Sequence, residues 1–227
     1  MLNLRSDLLQ AVIFDWDNTL ADTQPVIVAA INQTLREYNL PPLSAMMKFY
    51  NHQLSFWNNF PNLFGADKAA AAYETYCRHY KRLAPQLLHG FDGVEDVLQF
   101  LHRRHIKLLI VSNKDRRLLE YELPLLYSPS LFAVTLCGHE ASADKPSPAP
   151  LLEVLQKLPQ PPQISPAGVW MVGDTPQDSN AALAAGVLPI RIGLPIWQDN
   201  ETPNPEIVYF NDFRHFYRQL SSPAAKF

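Results

Sequence analysis

Short apolar runs and helical stripes alternate along most of this chain. Ala11-Val-Ile-Phe14 is an apolar run that ends in Asp15, and comparable runs recur at Leu108–Val111, Ala133–Leu136, Val169–Val172 and Leu188–Ile192. Runs of this length, bounded by polar residues, suit strands buried on both faces. Between them lie helical patterns. Val94, Val97, Leu98 and Leu101 repeat at helical spacing, and Leu151, Leu152, Leu155 and Leu158 form a second stripe. An alanine-rich segment from Asp178 to Ala185 stops at Gly186, a residue suited to ending a helix. The alternation predicts an α/β protein with a Rossmann-like open parallel sheet covered by helices. Sheets of this kind gather ligands beyond the carboxyl ends of their strands.

The stretch from 22 to 90 breaks the alternation. It predicts helices alone, Pro25 to Tyr38 and Asp67 to Leu83, joined by a loop rich in asparagine and aromatics. In the second helix Ala70, Tyr73, Cys77 and Tyr80 fall on one stripe. The chain therefore divides into a core, 1–21 with 91–227, and a small helical domain, 22–90, inserted after the first strand. The insertion carries 6 Lys+Arg against 4 Asp+Glu, a surplus of 2 cations, while the remainder carries 13 against 18. A basic lid over an acidic floor would suit an anionic substrate; ordinary surface variation produces the same numbers.

Composition narrows the class further. With 19 Lys+Arg against 22 Asp+Glu the chain has no broad basic surface, which argues against nucleic-acid binding. Hydrophobic residues at 47% and charged residues at 18% describe a folded globular chain. No apolar stretch approaches the roughly 18 residues of a membrane span, and the N-terminal MLNLRSDLLQ does not read as a secretory signal. Cys77 and Cys137 stand far apart outside any CxxC or Cys/His cluster, so a cytoplasmic location is expected.

The expected strand ends carry the polar chemistry. The first delivers Asp15-Trp-Asp17-Asn-Thr19. Carboxylates at i and i+2 point the same way if the strand continues, or converge if it breaks into a tight loop. Either way they need a cation or a shared proton. The second run ends in Ser112-Asn113-Lys114, where a hydroxyl and an amide beside a helix N-terminus can bind an oxyanion or cap the helix. Lys145 precedes another helix, in Asp144-Lys-Pro-Ser-Pro, and could neutralise phosphate charge. The fourth ends in Gly173-Asp174-Thr-Pro-Gln-Asp178, where Asp178 could also serve as a helix cap. Each piece alone is common; the four together mark a ligand site.

These four segments, Phe14–Leu20, Val111–Asn113, Lys145-Pro146 and Gly173–Asp178, resemble the four motifs of the haloacid dehalogenase superfamily in order and spacing over nearly the whole chain. The insertion resembles that superfamily's helical cap. Trp16-Asp17-Asn18 and Lys145-Pro-Ser-Pro-Ala-Pro are similar to its phosphoglycolate phosphatase and β-phosphoglucomutase branch.

The resemblance implies a phosphomonoester hydrolase that works through an aspartyl phosphate and uses Mg²⁺. Asp15 would be the nucleophile, and a carboxylate suits this because an acyl phosphate is readily hydrolysed. Asp17 would be the general acid and then the base. Thr19, Ser112 and the backbone N–H of Asn113 would bind phosphate oxygens, and Lys145 would offset charge. Asp15, Asp174 and the main-chain carbonyl of Asp17 would hold the metal, with Asp178 behind them on a metal-bound water or on Lys145. The implied partner is a small phosphorylated metabolite, with 2-phosphoglycolate one possibility. Asp17 argues against dehalogenation. A β-phosphoglucomutase-like mutase uses the same floor; a phosphorylatable receiver module lacks such an insertion. Within the insertion, Met46–His52 is the expected substrate contact, with Lys48 the first choice for a substrate carboxylate.

Overall fold

The computed structural model describes residues 9–49, 55–158, 164–193 and 204–222. Along the chain run β1 (Ala11–Phe14), β2 (Ala21–Asp22), α1 (Gln24–Glu37), α2 (Leu43–Met46), α3 (Phe60–Phe64), α4 (Ala69–Leu87) and β3 (His89–Gly90). Then follow α5 (Val94–Arg103), β4 (Lys107–Val111), α6 (Arg116–Leu126), β5 (Phe132–Leu136), α7 (Ala149–Gln156), β6 (Val169–Gly173) and α8 (Pro176–Ala185). The chain closes with β7 (Leu188–Ile192), β8 (Val208–Phe210) and α9 (Phe213–Leu220).

Six strands form a parallel sheet in the order β5-β4-β1-β6-β7-β8. The strand at its centre, β1, is wholly buried, as its unbroken apolar run requires. Ile13 lies opposite Leu109 on one neighbour and Met171 on the other. Alternation of side chains splits the core in two. Val12, Phe14, Leu108 and Ile110 face α5 and α9, while Ile13, Leu109, Val111 and Met171 face α7 and α8. The α5 stripe, Val94, Val97, Leu98 and Leu101, is fully buried. In α7 the sequence stripe is corrected: Leu151 and Val154 are buried, as is Leu158 just past the helix, Leu155 is half-buried, and Leu152 points to solvent.

All described helices between β2 and β3 belong to the insertion, and α1 packs along α4. The buried stripe of α4 is Ala72, Tyr76, Tyr80 and Ala84, flanked by Tyr73 and Cys77; Ala70 of the predicted stripe is exposed. The insertion leaves and rejoins the core through a two-residue antiparallel ladder, Ala21 opposite Gly90 and Asp22 opposite His89. At this neck the Tyr127 hydroxyl donates to the Leu20 carbonyl at 2.7 Å. A Cβ at position 90 would lie 2.5 Å from that hydroxyl, so a side chain there would have to displace the phenol.

Candidate active site

The sheet order brings β1, β4 and β6 side by side, so their carboxyl ends deliver Asp15, Ser112 and Asp174 to one rim. The Asp15 N–H still donates to Val172 at 2.9 Å, which fixes Asp15 as the last residue tied to the sheet. The chain then turns sharply. The Trp16 carbonyl accepts from the N–H groups of Thr19, Leu20 and Ala21, and Asn18 takes a left-handed conformation that asparagine tolerates. Of the two geometries open to the carboxylate pair, the strand breaks. Asp15 and Asp17 then diverge, each to its own lysine.

Lys145 is the hub of the first cluster. Its buried ammonium donates to Asp15 Oδ1 at 2.7 Å, Asp178 Oδ1 at 2.6 Å and the Val111 carbonyl at 2.9 Å. Asn113 holds the lysine's backbone from both sides: its Nδ2 donates to the Lys145 carbonyl at 2.8 Å and its Oδ1 accepts from the Lys145 N–H at 3.0 Å. The Asn113 side chain therefore pins the loop that carries Lys145. Asp178 does double duty. It ties the start of α8 by accepting from the Thr175 N–H and hydroxyl, at 3.0 and 2.6 Å, and it pairs with Lys145. Gly173 makes room for it, since a Cβ there would sit 2.4 Å from the Asp178 carboxyl carbon.

Beside this hub stands Asp174, which accepts from the Thr19 hydroxyl at 3.2 Å. One oxygen each from Asp15, Asp174 and Asp178 lie within 4.8 Å of one another, all three residues buried. Burial and neighbouring carboxylates push Asp15 up from 3.8 to about 7, against the pull of Lys145. Burial, Asp178 and Asp15 drive Asp174 well above the carboxylate range. Burial would lower Lys145, but Asp15 and Asp178 hold it charged. One ammonium faces three carboxylates, so the cluster is short of positive charge. Buried oxygen ligands with a charge deficit fit a hard divalent cation.

A second cluster surrounds Asp17. Lys114 donates to Asp17 Oδ1 at 2.7 Å and to the Tyr80 hydroxyl at 3.2 Å, and pairs with Glu122 at 3.1 Å. Glu122 in turn accepts from the Trp16 indole N–H. Reading the sequence assigned no role to Lys114, Glu122, Trp16 or Tyr80. The helix cap that Ser112-Asn113 could have supplied comes instead from Asp115, which accepts from the Arg117 N–H at 2.8 Å. Ser112 is buried, its hydroxyl accepting from the Lys114 N–H at 3.3 Å. Lys48 sits on a short turn with its ammonium 4.9 Å from the centre of the Phe49 ring, and no described contact joins it to the floor. His52 lies outside the described residues. Two other cations of the insertion are used on its own surface, Arg78 on Glu37 and Arg82 on Gln33. A cavity of about 530 Å³ opens beside Thr19 and Asp174, with Gly90, Phe91 and Arg214 on its far side.

The sequence matches the haloacid dehalogenase-like hydrolase family over residues 12–192, from β1 to the end of β7. The chain belongs to that family. It is 30% identical to pyrophosphatase PpaX of Oceanobacillus iheyensis over 184 residues, 79% of this chain and 81% of the relative. It is 32% identical to a phosphoglycolate phosphatase of Xanthomonas campestris, covering 78% and 80% of the two chains. The fold is shared with a crystal structure from Haemophilus somnus whose protein is described as a predicted phosphoglycolate phosphatase. The TM-score is 0.78 at 21% identity, over 94% and 99% of the two chains. This haloacid dehalogenase-type protein is an enzyme of the phosphatase class. Among its described residues no helix is long and apolar enough to cross a membrane.

Proposed function

We propose that the protein hydrolyses a small phosphomonoester through an aspartyl phosphate on Asp15, with Mg²⁺ held by Asp15, Asp174 and the Asp17 carbonyl. The observation that carries this reading is the buried group of Asp15, Asp174 and Asp178 around Lys145 at the ends of parallel strands. Bound Mg²⁺ would supply positive charge that lets an anionic nucleophile meet an anionic phosphate.

The chain's own residues do the rest. Asp15, fixed at the end of a buried strand, attacks phosphorus as the bond to the leaving oxygen breaks. Asp17 donates a proton to that oxygen and afterwards accepts one from the water that hydrolyses the acyl phosphate. Lys145 stays charged and stabilises the added negative charge on Asp15. Asn113 and Asp178 keep Lys145 in place. Ser112 and Thr19 stand where phosphate oxygens would arrive, and Thr19 also orients Asp174.

Residues 22–90 form the proposed cap, which covers the cleft and chooses the alcohol. The phosphoglycolate phosphatases among its relatives make 2-phosphoglycolate the first ester to test. Lys48 is the cation proposed for that ester's carboxylate; its support is its place between the long cap helices. Two free, buried cysteines suit a cytoplasmic setting. Inorganic phosphate release should be measured across 2-phosphoglycolate, sugar phosphates and nucleoside monophosphates, with Mg²⁺ and with chelator. Release from at least one ester that chelation abolishes is expected. Release that survives exhaustive chelation would remove the metal from the reading, and sugar isomerisation in place of release would make it a mutase.

A further inference from the structure

The second cluster has a construction that phosphate binding does not require. Lys114 and Glu122 are both buried, and the ammonium is shared among Asp17, Glu122 and Tyr80. The anchor is assembled from three separate segments. Lys114 stands between the end of β4 and the start of α6, Glu122 is two turns along α6, and Tyr80 belongs to α4 of the insertion. Glu122 is itself fixed by the indole of Trp16, which directly precedes Asp17 in the chain. Trp16 is fully buried, and Tyr127 packs edge-on against its ring. The acid's side chain and the backbone in front of it are therefore held by one polar network closed on itself.

A buried lysine is expensive to desolvate and is retained where it has paired partners. Here one partner is the half-buried carboxylate that must swing its oxygen onto the leaving group. We propose that Lys114, oriented by Glu122 and completed by Tyr80 of the cap, is the positioning residue for Asp17. On this reading Lys114 does not bind substrate. It fixes the rotamer and reach of the acid, and the Tyr80 contact makes that setting depend on the cap being seated on the core. The inference rests on Asp17 being the proton donor of the proposed phosphatase reaction.

The test uses the full-length protein and two variants built to fold. Lys114→Met with Glu122→Gln removes both charges of the fully buried pair and leaves only the half-buried Asp17 without its cation, and Tyr80→Phe removes only a hydroxyl. First-step rates are measured in single turnovers with 2-phosphoglycolate and with p-nitrophenyl phosphate. A nitrophenolate departs without protonation, whereas an alkoxide needs the acid. The double variant should lose at least about 30-fold in rate on 2-phosphoglycolate and less than about 5-fold on the aryl ester, since general acid catalysis contributes about 10²–10⁴-fold. Its KM should stay within about 2-fold of wild type, since a positioning defect acts on the transition state. Tyr80→Phe should show the same split at about 3-fold. Equal losses on both esters, or a raised KM with unchanged rate, would overturn the proposal; the latter would make Lys114 a substrate ligand. A crystal structure of the double variant gives a readout free of activity: the Asp17 carboxylate should leave its present position, and an unmoved carboxylate would refute the anchor. Failure of the phosphatase reading itself would look different, as wild-type protein releasing phosphate from neither ester.

Discussion

Removing the cation should make this protein's stability fall as pH rises through the neutral range. The structural cause is the Asp15, Asp174 and Asp178 group with a single lysine among them. Asp15 is raised from 3.8 to about 7 by burial first and by nearby carboxylates, and Asp174 is raised as well. The folded cluster therefore binds more protons than the unfolded chain between these values, and stability must drop with pH across that window. This contribution is fully present below the unfolded value and gone above the folded one. For Asp15 alone the loss is on the order of 4 kcal/mol by about pH 7.5. At about 2–4 °C per kcal/mol for a chain of this size, the whole loss is roughly 10 °C in Tm, about half of it between pH 5.5 and 7.5. A cation at about 100 times its Kd returns about 2.7 kcal/mol. Thermal melts in EDTA and in Mg²⁺, at about pH 5.5 and 7.5, read both effects. Mg²⁺ should raise Tm by roughly 5–10 °C at the higher pH and by much less at the lower, where protons already occupy the carboxylates. Asp174→Asn removes one of the repelling charges, so in EDTA at the higher pH it should melt above wild type while being catalytically dead. An Mg²⁺ shift equal at both pH values, or an Asp174→Asn protein that responds to Mg²⁺ as wild type does, would refute the reasoning.

Four further outcomes follow. Asp15→Asn should fold normally by circular dichroism yet lose at least about 10³-fold in phosphate release, because the proposed mechanism makes Asp15 the carboxylate that carries the acyl phosphate. Gly173→Ala places a methyl against the Asp178 carboxyl and should cost about 1–3 kcal/mol in urea unfolding, with activity falling as Lys145 loses its partner. Lys48→Ala should raise KM for 2-phosphoglycolate several-fold while leaving p-nitrophenyl phosphate nearly unchanged; equal effects on the two esters would remove Lys48 from the specificity site. Leu98→Ala, in the fully buried α5 stripe, should lower stability by about 2–5 kcal/mol but spare kcat/KM at low temperature, separating damage to the core from damage to the site.

What the sequence disclosed depended on how local the governing interaction was. The run Ala11–Phe14 announces a buried strand because burial on both faces is written in consecutive residues. The α5 stripe is legible for the same reason. β2 and β3 left no signal, since two-residue ladders have no periodicity to read. The three-residue β8, Val-Tyr-Phe, is too short for its one exposed aromatic to register as alternation. Leu152 looked like a core residue until the direction of α7 against the sheet assigned Val154 that place. In the site, Asp15 and Asp174 were visible at strand ends, Asp178 at the turn that follows the second of them, and Lys145 just before a helix. The Lys114 network was not, because its partners come from a distant helix turn and from the insertion. A lysine directly after Ser112-Asn113, with a glutamate two turns into an apolar helix face, was the signal available.

The neck between insertion and core also constrains how such a sequence can drift. Position 90 lacks space for any side chain because the phenol of Tyr127 occupies it, and that phenol is committed to the Leu20 carbonyl. α6 starts beside Lys114, carries Glu122 and ends next to Tyr127, so the lysine network around Asp17 and the lock of the neck lie on one helix. A relative that acquires a side chain at 90 should move or replace the phenol at 127. Losing it also removes the edge contact on the Trp16 ring, beside Asp17, so the two positions should be exchanged as a pair or left untouched.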